Sequence, residues 1–276
     1  MQAQPDAQRG EGGPPPGIGA KPVFDETWVS LGIGAGLVPS YSGSDDYVVF
    51  PLPLIVGRVG GVGISPNGPG FVLDLNSPKP SFEPPETRIS FGPAFRIRND
   101  RVNRIEDAVV EQLPDLDLAA EVGGNIGVSI PRVLNRFDAL TLSTQVRADV
   151  AGAHDGVLIE PSIGYRTPLG RATLVQLNAG LQFVDDSFAD YYYSVTPAQS
   201  AASGLPVFDA EGGLNSVGAT AIVNFDLDGN SLNGGLGIYA VIGYTRLVGD
   251  GADTPFTSIR GDANQFLGGI GVGYTF

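Results

Sequence analysis

The feature that most constrains this chain is a two-residue alternation sustained over runs far longer than an ordinary strand. In residues 88–98, Ile89, Phe91, Pro93, Phe95 and Ile97 hold one parity, and Arg88, Ser90, Gly92, Ala94, Arg96 and Arg98 hold the other. Only an extended backbone sends successive side chains to opposite faces, so such a run is a strand between two different environments. Runs of this kind recur ten times, at residues 28–38, 47–59, 88–98, 115–130, 137–150, 157–166, 175–183, 216–226, 235–245 and 265–276. The second is the least regular, because Pro51 and Pro53 each lack a ladder donor.

A soluble β-sandwich also alternates, but its strands average about 5–6 residues. Those here run to about 10–14, as tilted bilayer crossings of at least roughly 9–11 residues require. One face is nearly free of charge while the other mixes Gly with Arg, Asp, Glu and Gln, the asymmetry expected of lipid and lumen. No apolar stretch approaches the roughly 20 residues of a membrane-crossing helix, and 40 Gly with 22 Pro argue against helices generally. The fold expected is therefore all-β, a transmembrane antiparallel up-and-down barrel of ten strands. Residues 60–86 then form one long connection, unless residues 62–64 and 71–75 pair as a hairpin and raise the count to twelve. Residues 27–276 make the barrel, and residues 1–26, rich in Gly and Pro, a flexible leader. The chain reads as the exported form of a Gram-negative outer-membrane protein whose signal peptide is absent from it.

With both ends periplasmic, the connections 131–136, 169–170 and 228–233 are short periplasmic turns. The long ones, 99–114, 185–215 and 247–264, lie outside. A narrow lumen would hold the charges Arg88, Arg96, Asp117, Glu121, Arg147, Asp149, Glu160, Arg166 and Asp226, paired with one another in preference to lining a pore. Tyr191, Tyr192 and Tyr193 fit an aromatic girdle at the membrane interface.

Several chemistries fall away. The chain has no Cys, hence no disulfide or thiolate site. A net charge of −14 argues against a nucleic-acid partner. Acidic pairs such as Asp45 with Asp46 and Asp185 with Asp186 lack a calcium-loop pattern and read as solvated loop charge. The one histidine, His154, lies beside Asp155 and Gly156, near Ser143 and Ser162 in sequence. A hydrated turn residue fits it better than a hydrolytic triad, because no nucleophile motif accompanies it. Neither enzymatic activity nor a cofactor is expected.

Three stretches carry a family resemblance. The first is Pro39-Ser40-Tyr41-Ser42-Gly43-Ser44-Asp45-Asp46-Tyr47 with the downstream Pro51-Leu52-Pro53-Leu54; Pro39 and Gly43 would stop the strand, and Ser44, Asp45 and Asp46 would keep the tip hydrated. The second is Ser90-Phe91-Gly92-Pro93 followed by residues 96–101. The third is Tyr244-Thr245-Arg246-Leu247, then residues 249–255 and the ending Gly271-Val272-Gly273-Tyr274-Thr275-Phe276. In these the chain resembles the MipA/OmpV family of outer-membrane proteins from residue 28 to its end. The resemblance implies an outer-membrane barrel in contact with lipid and lipopolysaccharide, with Phe276 as the end read by the barrel assembly machinery. It also implies either a scaffold joining a murein lytic transglycosylase to a penicillin-binding synthase, or a narrow pore or surface receptor in osmotic or antibiotic response.

Overall fold

The computed structural model describes residues 27–77, 86–102 and 104–276. The expected leader, residues 1–26, lies outside the described residues. The strands are β1 (Trp28–Pro39), β2 (Tyr47–Val59), β3 (Val62–Pro66), β4 (Gly70–Asp74), β5 (Arg88–Arg98), β6 (Ala119–Pro131), β7 (Ala139–Asp149), β8 (Val157–Pro168), β9 (Thr173–Val184), β10 (Gly213–Asp226), β11 (Gly235–Leu247) and β12 (Asn264–Thr275). Each pairs antiparallel with its sequence neighbours, and β12 returns to β1 through Ser30 opposite Thr275 down to Leu37 opposite Gly268. The N–H of Phe276 donates to the carbonyl of Val29 at 2.9 Å, one residue beyond the β12 ladder.

This closed barrel has twelve strands, which overturns the count of ten. The missing pair is β3 and β4, five residues each, too short to show a periodicity. What makes them a hairpin is the turn that starts them. Gly60 and Gly61 both take positive φ, 59° and 90°, between Val59 and its partner Val62. That is the backbone demanded by a two-residue primed turn, which glycine alone adopts freely.

Alternation positions the side chains as the sequence requires. Leu31, Ile33, Ile55, Phe91, Ile126, Leu142, Ile163, Leu177, Ile242 and Ile270 all point outward and stay exposed, Ile33 at 69% and Ile242 at 67%. An apolar belt of this extent has lipid as its counterpart. Inside, the wall made by β1, β12, β11 and β2 is packed by close approach. Tyr239 lies flat over Gly32, Gly34 and Gly271, where any Cβ would strike its ring, and its hydroxyl donates to the carbonyl of Leu52. The Leu52 side chain in turn covers Gly36 and Gly269. The alternating glycines are thus the floor on which larger neighbours lie.

The turns 60–61, 132–138, 169–172 and 227–234 lie at the end holding Trp28 and Thr275, and the long connections 99–118, 185–212 and 248–263 at the other. The long ones are not open loops. The 185–212 connection carries helices α1 (Asp186–Tyr193) and α2 (Pro197–Ser203), and the 248–263 connection carries α3 (Asp250–Asp253) and α4 (Pro255–Ser258). Together with the 40–46 and 99–118 connections they pack around Tyr41, Ile105, Val110, Leu113, Val195, Leu205 and Phe256, a second hydrophobic core that domes over the barrel mouth.

The lipid belt makes a quantitative prediction. Ile126 sits midway along β6, outward and paired on both sides. Ile126→Arg should lower stability by about 2–4 kcal/mol, the cost of a guanidinium at the bilayer midplane. Asn125→Arg, one residue away and facing the lumen, should cost less. Urea titration of folding into lipid vesicles measures both.

Candidate functional site

Beneath the dome, the inward faces of β5 to β8 bring together Arg96, Arg98, Glu121, Arg147 and Glu160. Arg147 is fully buried and bridges two carboxylates, Nε to Glu121 at 3.1 Å and Nη2 to Glu160 at 2.7 Å. Arg98 Nε reaches the other oxygen of Glu121 at 2.7 Å, and Arg96 stands 3.6 Å from Glu160. Amide side chains extend the network across the lumen. Gln145 accepts from Arg147 at 2.6 Å and from Asn67, at the tip of the β3–β4 hairpin, at 3.0 Å. Gln182 donates to Glu160 at 2.6 Å and accepts from Asn215 at 2.8 Å. Hydrogen-bonded charge thus runs from the β3–β4 hairpin to β10. Ions buried together avoid the cost that either would bear alone.

α1 seals this cluster from above. Asp185 caps the helix through the N–H of Phe188 at 3.0 Å. The Arg98 guanidinium lies 4.9 Å from the ring centre of Phe188 and 5.8 Å from that of Tyr192. Tyr192 and Tyr193 are buried here, with burial raising the Tyr193 hydroxyl to about 12. The expected interfacial girdle of Tyr191, Tyr192 and Tyr193 is therefore corrected: these residues form a helix folded into the dome. The hydroxyl of Tyr191 accepts the N–H of Asp117 at 2.8 Å.

His154 is also corrected, from hydrated turn residue to buried one. It packs 5.0 Å from Phe188 and 5.6 Å from Tyr192, with Nε2 3.7 Å from Glu121. Ser143 and Ser162 bond to each other at 3.0 Å instead.

The remaining lumen residues stand apart from the cluster. Arg88 pairs with Asp74 at 2.6 Å, and Arg166 lies toward the same short-turn end on β8. Asp149 closes the β7–β8 turn by accepting the N–H groups of Ala151, Ala153 and His154. Asp226 does the same for Asp228 and Asn230. Arg98 and His154 are the cluster members absent from the expected set of charges. Arg98 shares the parity of Arg88 and Arg96, so the alternation held its signal.

The family-motif loop is the fastening of the dome. Pro39 ends β1 opposite Tyr47. Gly43, with φ of 99°, presses against Thr257 where no Cβ would fit. Its N–H donates to Gln265 at 3.2 Å, its carbonyl accepts from Asp262 at 2.9 Å, and Ser44 is buried in a bridge to Gly261. Asp45 and Asp46 remain exposed, but Ser44 does not sit at a hydrated tip. The Tyr41 hydroxyl donates to the carbonyl of Phe256 at 3.4 Å. Nearby, Arg260 grips Asp107 from 153 residues away, Nη2 to Oδ2 at 2.6 Å and Nε to Oδ2 at 3.0 Å. Burial opposes the ionised carboxylate, yet Arg260 and the N–H groups of Val110 and Val109 outweigh it and hold Asp107 below the ordinary aspartate range.

At the opposite end, the turn between β6 and β7 is rigid and apolar. Asp138 accepts the N–H groups of Val133, Leu134 and Asn135 at 2.7–2.9 Å and the Tyr165 hydroxyl at 2.7 Å. The turn so fixed displays Leu134 at 79% and Phe137 at 69% exposure, flanked by Arg132 and Arg136.

Two outcomes follow. Glu121→Gln leaves Arg98 and Arg147 buried without their shared counter-charge and should cost about 3–5 kcal/mol, read as a shift of the urea midpoint. Because the Asp107 carboxyl is depressed in the folded dome, its contribution is complete above the unfolded aspartate value of about 4 and is lost as pH falls through the lower folded value. Protease protection of residues 99–118 should accordingly persist from neutrality to about pH 4. In Asp107→Asn it should already be weaker at neutrality.

YiaT of Escherichia coli (strain K12), itself named for an inferred outer-membrane location, is 31% identical over 71 residues, 26% of this chain and 28% of YiaT. The matched segment thus spans under a third of that relative. Among solved structures, an outer-membrane channel of Pseudomonas putida F1 superposes with a TM-score of 0.44 and 14% identity, over 91% of this chain and 96% of that one. A loop-deleted OmpT of Vibrio cholerae gives 0.38 and 7%, over 91% and 98%. The model of the family described as MltA-interacting protein MipA matches residues 31–276, so this outer-membrane β-barrel belongs to that family.

Proposed function

We propose that the protein is a non-conducting barrel of the Gram-negative outer membrane that acts as a docking scaffold for cell-envelope machinery at its periplasmic face. The observation that carries this reading is the cross-lumen network from Asn67 to Asn215 beneath a packed dome. A conducting channel needs a continuous water path, and here ion pairs and Tyr239 occupy the interior. With the mouth covered, the surface left for a partner is the short-turn end. There the Asp138-fixed turn offers Leu134 and Phe137 preorganised, which lowers the entropy cost of docking. The family description names MltA, a murein lytic transglycosylase, as the partner to test first. A penicillin-binding synthase would be held through that enzyme.

In planar bilayers the refolded protein should give no steady unit conductance, and a reproducible open level would end the non-conducting reading. Immobilised in detergent, it should retain purified MltA. Leu134→Asp with Phe137→Asp should weaken that retention by about 2 kcal/mol, roughly thirtyfold, as loss of a hydrophobic anchor does. Undiminished binding by the folded double variant would remove the turn from the interface.

A further inference from the structure

The barrel is closed, but not along its full height. β2 pairs with β1 from Arg58 to Tyr47, whereas β3 reaches it only at Gly57, Arg58 and Val59. Among the described residues, positions 47–56 of β2 therefore have no strand on their second side. Parity identifies the groups that line this edge. The Val29 carbonyl accepts from Phe276 and so faces β12. By alternation the even residues of β1 face β2 and bond to their even partners, Gly32 with Leu54 and Gly34 with Leu52. The odd groups of β2 face the opening, and the one partner seen for them agrees: Arg104 Nη1 donates to the carbonyl of Val49 at 3.3 Å. Pro51 and Pro53 are odd. Two of the positions where an N–H would project into the gap have none, which interrupts the donor row that an incoming strand would need.

The lumen behind the edge is unusual as well. Val48, Phe50, Leu52, Leu54 and Val56 face inward, an all-apolar row set apart from the charged cluster on β5 to β8. Lipid chains bathe the outer side of the same edge. At its upper end Arg104, exposed and held at a φ of 58°, brings a cation to the headgroup level.

We infer that the wall beside the upper half of β2 is a lateral opening that admits the acyl chain of an anionic outer-leaflet lipid. The chain lies against Phe50 and its neighbours on β2, and the headgroup pairs with Arg104. Lipid is favoured over a protein segment because Pro51 and Pro53 interrupt the donors in the middle of the edge, which lies within the lipid belt and is apolar on both sides.

Bromine on an acyl chain quenches tryptophan on contact, and Trp28 is the single tryptophan of the chain. In a Trp28→Phe background, tryptophans would be placed singly by Phe50→Trp, by Val49→Trp on the lipid side, and by Ile222→Trp, lumen-facing on the fully paired β10. Each variant is refolded into vesicles of phosphatidylglycerol with brominated chains, with folding verified by heat-modifiable gel mobility. Phe50→Trp should be quenched nearly as strongly as Val49→Trp, and Ile222→Trp scarcely at all. Arg104→Gln should remove any excess quenching in phosphatidylglycerol over phosphatidylcholine. Should Phe50→Trp fail to fold, Val48→Trp on the same face takes its place. Quenching at the β2 position no greater than at Ile222→Trp overturns the proposal. So does quenching that appears only after removal of residues 2–26, which would assign the edge to that segment.

Discussion

In hydrocarbon a backbone N–H or C=O has no water to turn to, and each one left alone costs several kcal/mol. The whole architecture answers to that requirement. β12 must find β1, and the bond from Phe276 to Val29 extends the seam one residue past the last ladder pair. The strands must be long enough to cross and must keep one parity apolar throughout. The glycine content follows too. Once the outer parity belongs to lipid, the inner parity must let Tyr239 and Leu52 lie flat across the neighbouring strands β1 and β12, and only glycine leaves that clearance. The relaxation of the rule at β2 is managed by composition, with proline standing at two of the positions where a donor would be stranded.

The interior divides into two regimes with different energetics. On the β1, β2, β11 and β12 side, contact between rings, methyl groups and backbone does the packing, which is additive and insensitive to pH. On the β5 to β8 side, three guanidiniums and two carboxylates form one network around the fully buried Arg147 and Glu121, and these two are tolerable only because the others are present. The first regime resists small changes gradually; the second fails when a single member is removed. α1 joins the second regime to the dome, since Phe188 and Tyr192 sit on Arg98 and pack with Leu158, Val184 and Ala210 in a cluster that shares Phe208 with the dome core.

How much of this was legible in the sequence depends on the range of the interaction. Alternation is local, so the long strands and the lipid and lumen faces could be read directly, and Arg96, Glu121, Arg147 and Glu160 could be assigned to the lumen side by parity. Parity does not say which charge meets which, because that depends on register between strands up to 64 residues apart, as with Arg96 and Glu160. β3 and β4 stood only as the alternative that gives twelve strands, because five residues cannot establish a period, although Gly60-Gly61 carried the turn. The tyrosine triplet was misread for a related reason. Aromatics near a strand end suit a girdle, and what distinguishes the helix is the Asp185 cap with Phe188 and Tyr192 at i and i+4, a signal only four residues long. The Asp107–Arg260 pair had no local trace at all.

The dome and the lateral edge bear on one another. A barrel with an open mouth exchanges its contents through that mouth, and a gap in its wall would be a leak. Here four connections are packed over the mouth and held by the Gly43 and Ser44 fastening, while the apolar flank of β2 borders the bilayer. The polar network crosses the barrel between β3 and β10, away from the apolar row of β2, so lipid contact on that flank does not meet it. Fluidity at the β2 edge can thus coexist with rigidity where a periplasmic partner would need it, at the Asp138-braced turn between β6 and β7.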